Sequence, residues 1–431
     1  MIERVKTGAL IILVVISLVQ SYILAYITPK FEQVTQTYYV QTDPKGTQSE
    51  LIDVIMPDQI ILHMGKNSHT VLRSNDAFYN MIMSQLIKKR TFEGFRRTTN
   101  STTSLNWEQI RNEQKGIEVR FKEGIPIQVL KSLVQIKEDM PIDNDVITRI
   151  WMYNTAGKDE VKTYFFTDLG GAMYEAVKAD ITALDIQNKV DLGSYLPNYK
   201  SDNGDYYLPD TDLLAIRIKQ PYTLVSADEW KRSLFVNPEL TRLLMEKDGT
   251  QTYTDAKRGL QIQTERQWLM YTDPISTVDS KVDTKEHFLA ALQFINQHGG
   301  WNGSYTYVKG NTRSFFNLPQ TFTFRQYIEG IPVINLRNEQ YGYMKLSMQK
   351  GTVSSYERSL IVHDATKTLI KTESILPGGN ELKNLIDNYR LRMQVVSVFP
   401  AYRAVIMNQV IDYVPVWAVE LRDGTFDILN P

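Results

Sequence analysis

The sharpest break in the hydrophobic pattern comes at the start of the chain. No charged side chain lies between Lys6 and Lys30, and only Thr7, Gly8, Ser17, Gln20, Ser21, Thr28 and Pro29 interrupt the aliphatic and tyrosine residues between them. As a helix at about 1.5 Å per residue, 21 such residues reach about 31 Å, the thickness of one bilayer core. A cleaved signal peptide would be shorter and would end on small residues. Ala25, Tyr26 and Ile27 supply only one, so residues 7–28 are expected to form an uncleaved transmembrane anchor. Arg4 and Lys6 precede the anchor, whereas Lys30 and Glu32 cancel after it, which places residues 1–6 in the cytoplasm and the bulk of the chain outside. No second stretch of spanning length follows. Ser17, Gln20, Ser21, Leu24 and Thr28 recur at helical i, i+3, i+4 spacing and form a candidate contact face for a neighbouring transmembrane helix. The competing reading has the serines bonding to their own backbone and Gln20 reaching toward the interface.

Beyond a polar stalk at 29–50, the pattern becomes mixed α and β. Period-2 runs at 59–64 and 70–73 flank a turn at Gly65, Lys66 and Asn67. A helix follows with Phe78, Met81, Ile82 and Leu86 on one stripe. A strand at 117–121, a short helix opened by Pro126, and a hairpin of 146–153 with 161–166 come next. A helix is then expected to carry Met173, Ala176, Val177 and Ile181. This gives an N-terminal α+β domain at 51–190. A middle α+β domain at 191–275 has a strand at 213–219 and helical turns at 227–233 and 239–245. In the C-terminal domain at 276–431 one pattern occurs twice, a helix followed by a small antiparallel sheet. The first copy starts at Asp283, shows Phe288, Ala291, Leu292 and Ile295 on one side, and stops at Gly299 and Gly300. The second starts at Asn380. Pro332 and Pro415 are expected at the first position of their strands, where a missing N–H costs least. The fold class is α+β, helices laid on antiparallel sheets behind one membrane helix.

Composition narrows the chemistry. The 431 residues carry 48 basic and 49 acidic side chains, a net charge of −1 that leaves no broad field for nucleic acid. Cysteine is absent, which excludes disulfides, thiolate metal sites, iron–sulfur clusters and a cysteine nucleophile. Three string matches to penicillin-binding serine enzymes occur, at Ser347–Lys350, Ser201–Asn203 and Lys6–Gly8. They fail on geometry, because Ser347 falls on an expected strand, where i and i+3 face opposite ways, and Lys6 lies across the membrane. His63 and His69 could meet on adjacent strands, but lacking a nearby acid they read as surface or half-buried residues. His298 reads as a helix C-terminal residue favoured by the dipole. Asp202, Asp205, Asp210 and Asp212 could hold Ca²⁺, although a solvated acidic turn is the simpler reading. No catalytic, cofactor or metal residues are assigned. The chain holds 24 tyrosines, and Tyr305, Tyr307, Tyr327, Tyr341 and Tyr343 are expected either to cover an exposed sheet face or to form a docking surface.

The order of parts carries a resemblance. A short basic start (Met1 to Lys6), a single span, a stalk and a three-part cysteine-free exterior close with Tyr413-Val414-Pro415-Val416-Trp417-Ala418-Val419. Over essentially its whole length the chain resembles the YycH (WalH) family of membrane-anchored regulators in low-GC Gram-positive bacteria. The repeated C-terminal unit is similar to the PepSY-like module of that family and of its partner YycI (WalI). The resemblance implies a non-enzymatic regulator without cofactors. Its implied partners are the sensor histidine kinase WalK (YycG) of the WalK/WalR (YycG/YycF) cell-wall system, YycI and the cell membrane, with no nucleic acid. Two readings from other classes stand beside it. One is a tethered extracytoplasmic cell-wall enzyme, the other a PepSY-type protease-inhibitory or binding module.

Overall fold

The computed structural model describes residues 2–26, 46–103, 105–137, 145–155, 157, 159–169, 171–274, 283–310, 319–337 and 339–429. Most of the stalk expected at 29–50 lies outside them, as does Thr28. The chain divides into two units, described separately below. The first is built on one 25-residue helix, Ile2–Tyr26. Leu10, Leu13 and Leu18 on it are 64–65% exposed. Among the described residues no helix is long and apolar enough to cross a membrane. The expected anchor therefore stands on its sequence pattern alone.

The second unit holds two sheets. The first contains β1 (Gln59–Gly65), β2 (Ser68–Leu72), β3 (Thr91–Thr99), β4 (Lys115–Pro126), β5 (Gln135–Ile136), β6 (Val146–Asn154), β7 (Val161–Thr167), β8 (Ala172–Ala179), β9 (Tyr199–Lys200) and β10 (Leu208–Pro209). Their order is β10-β9-β2-β1-β4-β6-β7-β8-β3-β5. The β1–β2 turn uses Gly65, Lys66 and Asn67 at φ of 81°, 54° and 52°, the left-handed conformations that a tight hairpin of this hand requires.

Fifteen strands form the second sheet. They begin with β11 (Leu213–Leu224), β12 (Arg242–Met245), β13 (Gln251–Thr254), β14 (Gly259–Gln263) and β15 (Trp268–Thr272). They continue through β16 (Ser304–Lys309), β17 (Gln320–Ile328), β18 (Ile331–Ile334), β19 (Tyr343–Gln349), β20 (Thr352–Ser359) and β21 (Ile361–His363). The last four are β22 (Ile370–Leu376), β23 (Val395–Met407), β24 (Val410–Leu421) and β25 (Phe426–Leu429). β15 pairs with β20, so strands from 213–272 and from 304–429 share one sheet. The two sheets also share one hydrophobic core, which takes Ile60 and Leu62 from β1 and Phe322 and Phe324 from β17.

The helices start and stop where local chemistry satisfies their free backbone groups. Reciprocal capping boxes, Thr182 with Asp185 and Ser226 with Glu229, open Ala183–Asp191 and Ala227–Leu234. Thr284–Gln297 buries the expected Phe288, Ala291, Leu292 and Ile295. It ends at Gly299, with φ of 91°, where an added Cβ would lie 2.4 Å from the Trp230 ring, so a side chain there is excluded both by conformation and by space.

Several local expectations are corrected. The stretch with Met173 and Ala176 is strand β8, not a helix. It lies between β7 and β3 with Met173, Tyr174 and Ala176 all buried. Ala172, Met173 and Tyr174 are buried in succession, on both faces, so the period-2 signature is lost there and chance spacing imitates a helix. Residues 239–245 form a short 3₁₀ turn, Pro238–Leu240, and then β12. Pro415 sits in mid-strand. It falls between the residues of β24 that pair with β11 (410–413) and those that pair with β25 (417–420), where that edge needs no N–H. Tyr305, Tyr307, Tyr327 and Tyr341 are 4–8% exposed. They are core residues, and neither a solvent-facing cover nor a docking surface.

Candidate functional site

Register explains the most unusual feature of the first sheet. On β1, Ile60 and Leu62 face the shared core, so Ile61 and His63 face the other side. His63 pairs directly with His69 on β2, Ile61 with Glu118 on β4, Glu118 with Trp151 and Arg120 with Arg149 on β6. Pairing carries a face from strand to strand, so two histidines, a glutamate, two arginines and a tryptophan converge on one side. Gly116 lies opposite His63, and a Cβ there would come within 3.3 Å of Trp151 Nε1.

His63, His69 and Glu118 are fully buried. The expectation that the histidines lie near the surface without an acid is thus corrected. The acid is Glu118, 55 residues from His63 in sequence. His63 Nε2 lies 3.2 Å from Glu118 Oε2, and the two Nδ1 atoms are 3.0 Å apart. One neutral arrangement satisfies the chain: His63 donates to Glu118, His69 Nδ1–H donates to His63 Nδ1, and His69 Nε2 accepts from the Asn67 amide, 3.1 Å away, once that amide turns its nitrogen toward the ring. Burial pulls His63 below its ordinary pKa and takes His69 down to about 3, so neither ring carries charge at neutral pH. Burial acts to raise the Glu118 carboxyl. Arg120, the His63 hydrogen bond and Arg149 together hold it well below the usual range.

Glu118 takes a two-pronged contact from Arg120, Nε to Oε1 at 2.9 Å and Nη2 to Oε2 at 3.0 Å, and a third from Arg149 at 3.2 Å. Arg120 also donates to the carbonyls of Gly204 (2.6 Å) and Asp205 (2.8 Å), while Arg111 reaches the Asp202 carbonyl at 3.3 Å. The acidic loop considered for Ca²⁺ is thus clamped through its backbone. Among the described residues no group of three His, Cys, Asp or Glu could hold a metal ion.

A cavity of about 380 Å³ opens beside this network, lined from both sheets. Its cations are Arg73, Arg120, Lys122, Arg149 and Arg325, and its carboxylates Asp58, Asp205 and Glu420. Lys122 pairs with Glu420 at 2.6 Å and lies 4.0 Å from the centre of the Phe399 ring. Arg325 donates to the Val333 carbonyl at 2.8 Å and sits over Phe426 at 4.9 Å. Burial pushes the Asp58 carboxyl up to about 6 against the opposing fields of Lys122 and Arg120.

The second sheet gathers a neutral cluster. Tyr341 Oη lies 2.5 Å from Tyr413 Oη, and Tyr413 Oη 2.9 Å from His363 Nε2. Burial lowers His363 to about 4. His298 terminates its helix as expected, but it is buried against Ser233 at 3.2 Å, and burial lowers it to about 4. A neutral ring gains little from the helix dipole, which corrects that reading.

The remaining sequence candidates are scattered. Ser17 and Gln20 are exposed on Ile2–Tyr26, which also carries Ser21 and Leu24. Ser347 lies on β19, and its carbonyl accepts from Ser354. Sequence reasoning missed Glu118, Arg120 and Arg149. Their only signal was the alternation of β4 and β6, which places charges on a strand face without naming a partner.

Against known proteins, the family profile described as "YycH protein, N-terminal domain" matches residues 3–191, and "YycH protein, C-terminal domain" matches residues 203–428. The chain is 20% identical over 447 residues to the "Two-component system WalR/WalK regulatory protein YycH" of Bacillus subtilis (strain 168), covering 97% of this chain and 95% of that protein. The crystal structure of YycH from Bacillus subtilis superposes with a TM-score of 0.68 at 16% identity, over 91% of this chain and 99% of that one. At that identity, the superposition establishes a shared fold.

Proposed function

The chain belongs to the YycH family, and on that premise we propose that it is a non-enzymatic regulator of a WalR/WalK two-component system. The observation that carries this reading is the pair of family matches at 3–191 and 203–428, joined to the name of the Bacillus subtilis relative as a WalR/WalK regulatory protein. Residues 7–28 anchor the protein in the cell membrane with residues 1–6 in the cytoplasm. The two-sheet body is extracytoplasmic, and a YycI-like protein and the kinase WalK are its partners. Contact with the kinase helices runs through Ser17, Gln20, Ser21 and Leu24, where a buried amide gains a hydrogen-bonding partner that hydrocarbon cannot offer. A bias of about 1–3 kcal/mol between kinase states changes output several-fold to about a hundredfold, within reach of one helix contact. The YycH-like sheets hold the body that biases this helix from outside.

The test is affinity capture of the full-length chain from solubilised membranes, with WalR-dependent transcription read in parallel. WalK and a YycI-like protein are expected in the captured material, and replacing Ser17, Gln20 and Ser21 together by Leu should deplete WalK and shift transcription. Capture without either partner would remove the regulatory reading. Unchanged capture and transcription in the triple variant would remove only the helix face.

A further inference from the structure

We propose that the cavity between the two sheets is a binding site for a small organic oxyanion, a phosphate or carboxylate that also carries a hydroxyl or N–H donor. The first support is positive charge that no direct ion pair meets. Arg120, Arg149 and Lys122 are held by Glu118 and Glu420. Among the described residues, Arg325 donates to a neutral carbonyl, Val333 O. The Arg73 side chain makes no ion pair or hydrogen bond among the described residues. Two guanidiniums, each a planar fork of donors, thus face a shared cavity with no carboxylate in ion-pair contact among the described residues. Carboxylates reach them by longer-range fields, of Asp58 on Arg73 and of Glu420 and Glu123 on Arg325.

The second support is unpaired polar atoms. Tyr207 Oη and Asp58 Oδ1 are both buried without a hydrogen-bond partner, and both residues line the cavity. Buried polar atoms left unmet cost free energy, and such atoms at a cavity wall mark a place for a polar guest. Tyr207 supplies a donor suited to an oxyanion. Asp58 supplies an acceptor, which is why the guest must also carry a hydroxyl or N–H.

The third support is size and walls. A volume of about 380 Å³ fits a small ligand, and Phe399, Phe426 and Tyr206 provide surface for its organic part. The lining sets five cationic side chains against three carboxylates, Asp58, Asp205 and Glu420, and this balance favours an anionic guest over a cationic one. The inference stands whether or not the chain regulates a kinase.

The experiment is isothermal titration of the full-length chain in detergent micelles with glycerol 3-phosphate, with N-acetyl-D-alanine and with inorganic phosphate. Saturable, salt-sensitive binding of one organic anion is expected, tighter than that of inorganic phosphate; which one binds distinguishes a phosphate source from a carboxylate source. Arg325→Met should weaken that binding by about tenfold or more, the size of one charge-assisted contact. Tyr207→Phe should weaken it several-fold while leaving the unfolding temperature unchanged or higher. Should Arg325→Met fail to fold, Arg73→Met carries the same expectation. Absence of saturable binding by all three probes overturns the proposal. So does an affinity that survives unchanged in the folded arginine variant.

Discussion

The first sheet buries a histidine against a carboxylate, and the second holds a half-buried one against two tyrosines. Around His63 the polar groups are ionised: Glu118 is shared by Arg120 and Arg149, and the imidazole takes the remaining lone pair. Around His363 every group is neutral, with Tyr341 donating to Tyr413 and Tyr413 to the ring. In both arrangements the imidazole and its acidic or phenolic partners are hydrogen-bonded to one another, but the two fail differently. Removing one ion from a buried set leaves the others uncompensated, whereas removing one hydroxyl from a neutral triangle lets the remaining two groups close on each other. The ionised arrangement adjoins the cavity, and the neutral one does not line it.

The most damaging single change should therefore be Glu118→Gln, which keeps the shape and removes the charge. It leaves the buried Arg120 without its carboxylate, whereas Arg149, 37% exposed, keeps solvent, and the expected loss is about 3 kcal/mol, read by chemical denaturation. A loss under about 1 kcal/mol would mean that both guanidiniums are hydrated through the cavity. The two sheets would then differ less than their geometry indicates.

Acid should act on both regions at once. His63, His69, His298 and His363 all have pKa values lowered by burial, to about 3 for His69 and about 4 for His298 and His363. Below the ordinary value of 6.5 the unfolded chain takes up protons that the folded chain refuses. Stability therefore falls as pH drops from about 6.5 toward 4. At pH 5 each of His69, His298 and His363 contributes a penalty of about 2 kcal/mol, and His63 acts in the same direction. Glu118 adds to this only at lower pH. Its depressed carboxyl stabilises fully above the unfolded value of 4.5, and that contribution is lost as pH falls further. Thermal unfolding measured from pH 7.5 to 4.5 should show a monotonic decline, and a flat profile would mean the rings reach solvent.

The two regions were not equally legible in the sequence. Hairpins came through where one face is buried and the turn has its own chemistry, as at Gly65 to Asn67 and in β6 with β7. The helix Thr284–Gln297 came through because its stripe and its glycine stop agree. β8 did not, since burial on both faces at Ala172, Met173 and Tyr174 erased the alternation that marks a strand. The ionised cluster was out of reach for another reason. His63 and His69 are near neighbours in the chain, but Glu118 joins them only through the register of β1 with β4, and Arg149 only through β4 with β6. The tyrosines of the second sheet were visible as a group, yet which side of the sheet would be covered depended on the rest of the core.

The smallest expected effect probes the neutral cluster. In Tyr413→Phe, the lost hydroxyl had bridged Tyr341 and His363, which already lie 3.4 Å apart, Oη to Nε2. A modest shift lets Tyr341 donate to the ring nitrogen, so no buried group is left without a partner, and the aromatic packing with Tyr402 at 6.1 Å between centroids is kept. The cost should be that of one neutral hydrogen bond, about 1 kcal/mol, and it should be the same at pH 7.5 and pH 8.5 because no charge is involved. Denaturant midpoints at both pH values check this. If the variant instead loses as much as Glu118→Gln, the second sheet relies on a fixed polar network as rigidly as the first, and the contrast between a charged and a forgiving interior does not hold.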